Sequence, residues 1–186
     1  MVVYLSFTKF NVMQPAVFVG LDNYIRMFSD MFVRAGIINT LIYTAIVVPV
    51  QTVLSMIVAE VLASRFRNRF GGFVKSTMFI PVISSSVLVG SLWLLLLATD
   101  NGAINQILGL FSIQKINWIG TTDTALISIC MASIWKNVGY FLVIFYAGIM
   151  DISPTIYQVA RVDGASKMQQ FFFITIPLLK PVTLLV

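Results

Sequence analysis

The chain has no histidine, a single cysteine and only seven acidic residues among 186. Without histidine, and with Cys130 alone, the usual donors of a zinc site are missing and an internal disulfide is impossible; no cofactor is expected. No G-x-x-x-x-G-K-[ST] stretch occurs, so ATP chemistry is not in this chain. A membrane enzyme would need ionisable or nucleophilic groups gathered at one depth, and only Cys130 and Lys136 stand in the third apolar run. Charged residues make up just 10% of the chain against 59% hydrophobic, and a mean hydropathy of +0.94 is far outside the range of soluble domains. The formal charge is +5. Nucleic acid is nevertheless not an expected partner, because the basic residues sit beside apolar runs rather than on a recognition module.

What the chain has instead is long apolar segments separated by short polar ones, the pattern of an all-α polytopic membrane protein. Complete spans are expected over about 36–63, 76–98 and 124–150, with the tail of an earlier span at 1–8 and the start of another at 177–186. Further sequence is therefore expected at both ends. Gly20-Leu21-Asp22-Asn23-Tyr24-Ile25 opens an amphipathic run read as an interfacial helix. Pro49 predicts a kink in the first span, and Pro81 with Ser84-Ser85-Ser86 predicts a bent start to the second. Arg65, Arg67, Arg69 and Lys75 have no acid among them, which places that loop on the cytoplasmic side. Alternation then puts 99–123 outside, with Trp118 as a headgroup-level anchor, and returns 151–180 to the cytoplasm.

Lys136, beside Asn137, lies about 18 Å along the third span. A lysine that deep must face protein or water. Two readings stand, a residue lining a substrate pathway and a structural partner of another helix; a snorkelling lysine is the third if the span begins later. Gly139, one turn on, is read as opening space.

The stretch from Ser153 to Pro181, SPTIYQVARVDGASKMQQFFFITIPLLKP, is polar and punctuated between two apolar segments. Ser153-Pro154 has the form of an N-cap followed by proline at the first helical position. Gly164 supplies a left-handed stop. Ser166 and Gln169 have the spacing of a capping box, and Pro177 marks a kink or an end. Two short helices around a glycine elbow are expected.

Tyr157-Gln158-Val159-Ala160, then Asp163-Gly164-Ala165, a phenylalanine at 171 or 172, and Ile174-Thr175-Ile176-Pro177 resemble the EAA loop of ABC importer permeases. The Gly20–Tyr24 wording and Phe79-Ile80-Pro81 resemble the same family. Here Gln158-Val159-Ala160 stands where members usually carry Glu-Ala-Ala, which removes a carboxylate. The resemblance implies the MetI-like helical fold, six spans when complete, and a subunit of a binding-protein-dependent importer, closest in wording to those for sugars, polyols or glycerol phosphates. It implies a cytoplasmic coupling loop built on Tyr157, Gln158, Ala160, Asp163, Gly164, Ala165 and Pro177, with Lys136 and Asn137 as candidate pathway residues. Implied partners are ABC ATPase subunits, a second permease subunit and an extracytoplasmic solute-binding protein, in a bacterial or archaeal cytoplasmic membrane. The alternative is a secondary transporter without an ATPase. That class is expected to place carboxylates within its spans, whereas the three complete spans contain no aspartate and Glu60 is peripheral.

Overall fold

The longest helix runs 35 residues, from Met31 to Arg65, and crosses the boundary between two units, Met1–Thr44 and Ala45–Val186. The computed structural model describes residues 1–11 and 14–185.

In the first unit, α1 (Val2–Ser6) leads into an antiparallel hairpin of β1 (Thr8–Asn11) and β2 (Gln14–Phe18), with Thr8 opposite Phe18 and Lys9 opposite Val17. Residues 2–6 form one helical turn and a short hairpin follows; the chain is otherwise helical as expected, and the hairpin is what the sequence reading did not include. Gly20 turns the chain at φ +59° into α2 (Asp22–Ser29). Asn23 Nδ2 donates to the Ser6 and Thr8 carbonyls at 2.9 and 3.0 Å, and Tyr24 Oη shares a hydrogen bond with Ser6 Oγ at 2.7 Å. The Gly-Leu-Asp-Asn-Tyr wording thus encodes a turn and a staple. Asp30 Oδ1 accepts from the amides of Phe32 and Val33 at 2.7 and 3.3 Å, which starts α3 (Met31–Arg65) ahead of the expected Gly36. The helix then passes through Pro49 without interruption.

The second unit holds the rest of α3, then α4 (Arg69–Ile83), α5 (Ser86–Leu96), α6 (Ala103–Leu110), α7 (Thr122–Asp151) and α8 (Pro154–Val162). A last helical run comprises α9 (Lys167–Gln170), a π-helical turn (Phe171–Thr175), α10 (Ile176–Leu178) and α11 (Lys180–Leu185). By length and composition, α3 and α7 each suffice to cross a membrane, while α4 and α5 do so only as a pair bent by 101°. The bend falls at Ser84-Ser85, after Pro81, and is much sharper than a proline kink.

Helices in lipid gain little from burying apolar surface against one another, so close approach and interhelical hydrogen bonds carry more of the packing. Met56, Ala59 and Ala63 of α3 meet Phe145 and Ile149 of α7 and Leu179, with Ala59 and Phe145 wholly buried. A Cβ at Gly148 would come within 2.9 Å of Leu179 Cδ2 and 3.0 Å of Val182 Cγ2, which is why the last helical run can lie tightly on α7. At Gly139 an added methyl would land on the Met78 carbonyl. That glycine does not open space, the expectation from the sequence; α4 fills it, backbone against backbone. Beside it Ser55 Oγ donates to the Val138 carbonyl at 3.0 Å, fully buried.

Between α5 and α7 the loop is tied chiefly through one buried side chain. Asn105, 4% exposed, donates to the carbonyls of Thr99 (3.0 Å) and Ile116 (2.9 Å). Its oxygen accepts from the Ile116 amide (3.2 Å) and from Trp118 Nε1 (3.0 Å). Trp118 therefore spends its indole N–H on a protein knot, a role the sequence did not reveal.

Candidate functional site

The segment from α8 to the π-helical turn is assembled from local rules. Pro154 stands at the first position of α8, but Ser153 makes no side-chain cap bond, contrary to the expectation from its residue type. The far end is tighter. Gly164 takes φ +80°, its amide donates to the Arg161 carbonyl at 3.1 Å, and the Ala165 amide reaches the Ala160 carbonyl at 2.8 Å. Those two bonds are the Schellman closure of a helix C-terminus. The capping box follows at once: the Ser166 amide donates to Gln169 Oε1 at 2.8 Å and the Gln169 amide to Ser166 Oγ at 3.3 Å. The wide turn at Phe171–Thr175 precedes Pro177, whose ring would otherwise press on the carbonyl four residues earlier. The irregularity thus sits upstream of the proline that causes it.

Three side chains tie this elbow to the helix beyond it. Tyr157 Oη and Thr175 Oγ1 share a hydrogen bond at 2.9 Å, Thr175 being fully buried. Thr175 Oγ1 also reaches the Gln170 carbonyl at 3.5 Å, and Gln170 Nε2 donates to the Ala165 carbonyl at 2.9 Å. Burial pushes the Tyr157 hydroxyl above its ordinary pKa, and the nearby charge of Glu60 adds to the shift; the bond to Thr175 opposes it. The phenol stays protonated and available to the latch. Glu60 lies within electrostatic reach of Arg67, Lys167 and Tyr157, so the Arg65–Arg69 cluster and the elbow occupy the same end of this unit.

Of the expected coupling residues, Asp163, Gly164 and Ala165 line one surface hollow of about 280 Å³ together with Gln169, Phe173 and Ile174. Gln158 is exposed, Ala160 is half-buried, Tyr157 turns inward to its latch, and Pro177 stands apart in α10. No residue of α8 is buried. Ile156, Val159 and Val162, spaced every third residue, leave an apolar stripe in the open, with Val162 88% exposed. An exposed apolar stripe on an otherwise ordered helix is the kind of surface that a groove on a partner can take.

The second expected site is Lys136 with Asn137, and Lys136 falls at the helix break. Lys136 Nζ donates to the Ser84 carbonyl at 3.1 Å and to Ser86 Oγ at 3.2 Å. The three serines divide the work: Ser84 Oγ returns to the Ile80 carbonyl (3.0 Å), Ser85 Oγ caps α5 through the Leu88 amide (3.2 Å), and Ser86 Oγ takes the lysine. Lys136 also borders a cleft of about 410 Å³ between α5 and α7, walled by Ser86, Gly90, Trp93, Ser128 and Ser133 among others. Asn137 is not part of that wall; its amide donates to Ser133 on its own helix at 3.0 Å. The sequence missed Thr175 and Gln170 as latch residues, and missed the serines as the partners of Lys136. A lone threonine between isoleucines and a serine triplet ahead of an apolar run were the available signals.

The chain matches the family described as "Binding-protein-dependent transport system inner membrane component" over residues 29–185. It is 31% identical over 178 residues to the probable ABC transporter permease protein YurN of Bacillus subtilis, covering 94% of this chain and 61% of that one. It is 32% identical over 165 residues to the trehalose/maltose transport system permease protein MalF of Thermococcus litoralis, covering 89% of this chain and 55% of the relative. The chain thus spans 55% to 61% of the length of these relatives. A solved bacterial ABC transporter involved in the import of the acidic polysaccharide alginate superposes with a TM-score of 0.84 at 22% identity, over 99% of this chain and 63% of that one. At that identity the likeness speaks to the fold.

Proposed function

The chain belongs to the family of binding-protein-dependent transport system inner membrane components, and from that membership we propose that it is part of the permease subunit of an ATP-driven importer for sugars or related polyols. The exposed unit of α8, elbow and α9 is the observation that carries this reading. It stands at the end of the molecule marked cytoplasmic by Arg65, Arg67 and Arg69, and its apolar stripe is largely exposed. ABC ATPase subunits cover that stripe. A second permease subunit and an extracytoplasmic binding protein complete the assembly in a bacterial or archaeal cytoplasmic membrane.

Closure of the ATPase pair draws the elbow units together. The Tyr157–Thr175 latch and the Gln170–Ala165 bond make each elbow move as one body with the π-helical turn. Leu179, packed against α3 and α7, passes that displacement to the spans. The cleft between α5 and α7 is the part of the translocation pathway this chain contributes. Gln158 in place of the usual glutamate leaves the ATPase contact to the apolar stripe and the elbow backbone rather than to a carboxylate.

The test is reconstitution of the full-length permease with its ATPase and binding protein in proteoliposomes. Labelled oligosaccharide should accumulate only with ATP and both partners present. Accumulation driven by a proton or sodium gradient without the ATPase would replace this reading with a secondary transporter. Sidedness is checked separately: of cysteines placed at Asn68, Lys115 and Lys167, an impermeant maleimide should label only position 115 in intact cells.

A further inference from the structure

The two residues at the break between α4 and α5, Ser84 and Ser85, are both in ordinary extended conformation, with ψ of 143° and 146°. Nothing strained or locally bonded fixes the 101° between the helices, because the Ser84 hydroxyl bonds back into α4 and the Ser85 hydroxyl bonds forward into α5. The connection that spans the break comes from α7. Lys136 Nζ holds the carbonyl of Ser84, the C-cap of α4, and the hydroxyl of Ser86, the first residue of α5. A cation suits the carbonyl end of a helix, where unpaired oxygens carry partial negative charge. Three residues along α7, α4 is pinned again at Gly139, against the Met78 carbonyl. So α4 is anchored to α7 twice, while α5 meets α7 through Trp93 set edge-on to Trp135, 6.0 Å between ring centroids, and otherwise faces it across a cleft of about 410 Å³.

We propose that Lys136 is a positioning residue for transport: its ammonium sets the angle between α4 and α5, and through it the width of the α5–α7 cleft. Both acceptors are neutral, and the one salt bridge among the described residues is Lys115–Asp100, elsewhere in the fold. The grip is therefore one hydrogen bond to the end of α4 and one to the start of α5, and only the bond to Ser86 is given up when α5 swings away from α7 and recovered when it returns.

The experiment places spin labels at Phe73 of α4 and Leu95 of α5, both exposed, in the full-length permease assembled in nanodiscs and otherwise free of cysteine. The unsubstituted chain should give one narrow distance distribution. Lys136→Met should broaden it by about twofold or more, as an ensemble freed from its restraint does, while Lys136→Arg should restore the narrow form. In uptake by the assembled importer, Lys136→Met should lower kcat about tenfold with KM changed far less, the signature of a lost alignment rather than of lost substrate contact. Should the methionine variant fail to assemble, Ser86→Ala decides, since it removes one acceptor and keeps the lysine; its distribution should also broaden. A distribution as narrow as wild type in Lys136→Met, or in Ser86→Ala where that variant must stand in, overturns the proposal. So does a changed KM with an unchanged distribution, which would make Lys136 a substrate contact. The distance measurement needs no transport, so its result is separable from the importer reading on which the uptake measurement rests.

Discussion

The elbow at Gly164 and the break at Ser84-Ser85 perform the same task, turning the chain sharply between two helices, by opposite means. The bonds that close the turn itself join residues at most five apart, Gly164 to Arg161, Ala165 to Ala160 and Ser166 to Gln169, and only the Tyr157–Thr175 latch reaches further, to tie the finished elbow to the next helix. The break has no such bond across it, and its angle rests on Lys136, which lies 52 residues from Ser84 along the chain. A turn made from local bonds can sit outside the membrane and survive changes in the spans. A turn made from remote bonds is rigid only while the helices around it are in place. The first suits a part that must present one fixed face to a partner, and the second suits a part that must move with its neighbours.

The harshest test of this contrast is Gly139→Val. A side chain there meets the backbone of α4 at Met78, which cannot rotate out of the way as a flexible side chain could. Overpacking of this kind costs roughly 1–3 kcal/mol or more even in cores that can adjust. We expect folded full-length complex to fall severely, read as loss of the monodisperse peak of a fluorescent fusion in size-exclusion chromatography. Normal recovery would mean that α4 and α7 do not cross this closely.

Gly164→Val should behave differently. The space beside Gly164 is open, and a Cβ added there would meet no atom within 4 Å, so the penalty is backbone strain at φ +80° alone. That strain is on the order of 1–2 kcal/mol for a branched residue in the left-handed region. The variant should insert and purify like wild type, yet lose ATPase subunits during purification and fail to import. Ser112 shows how far the geometry tolerates a side chain, since it closes α6 with the same pair of bonds at φ 58°. Gly164→Asn, a residue that accepts this conformation, should therefore retain most of the ATPase. Full ATPase retention and uptake in Gly164→Val would reduce the elbow to an ordinary loop.

This division also explains what could be read from the residues in advance. The short helix at Asp22, the stop at Gly164 and the capping box at Ser166 are short-range devices whose spacing is visible in one sequence. The bent start of the second apolar segment was legible from Pro81 and the serines, but its size and exact place were not, because Lys136 and Gly139 help set them from α7. The hairpin of β1 and β2 was missed because Thr8 to Phe18 is short and lies beside apolar runs that dominate the pattern. Lys136 stood out at once as a charge in an apolar run. Its partners did not, since a backbone carbonyl is the same at every position. Thr175 was visible as a hydroxyl between isoleucines, but its partner was not, for a related reason: only the packing brings it to Tyr157.

The smallest expected effect separates two serines with the same apparent role. Ser153 and Ser166 each stand immediately before one of the elbow's helices, and by residue type both are good N-caps. Only Ser166 accepts a cap bond, from the Gln169 amide, and its own amide is taken by the Gln169 side chain in return. The Ser153 side chain accepts none; the Ile156 amide, the one a cap would take, donates to the Ser153 carbonyl at 3.1 Å instead, and Pro154 at the first position has no amide to satisfy. Ser166→Ala should therefore cost about 1 kcal/mol of local stability, the usual value of a lost cap. Ser153→Ala should cost at most a few tenths of a kcal/mol, within the range of surface changes that remove no contact. Hydrogen exchange of the full-length protein resolves the two. Opening of the Gln169 and Gln170 amides should become about fivefold more frequent in Ser166→Ala, the factor that 1 kcal/mol implies, while the α8 amides in Ser153→Ala should exchange as in the unsubstituted chain. Equal effects at the two positions would mean that the elbow is held by its surroundings, and the distinction between a locally built turn and a remotely held one would fail at the place where it is sharpest.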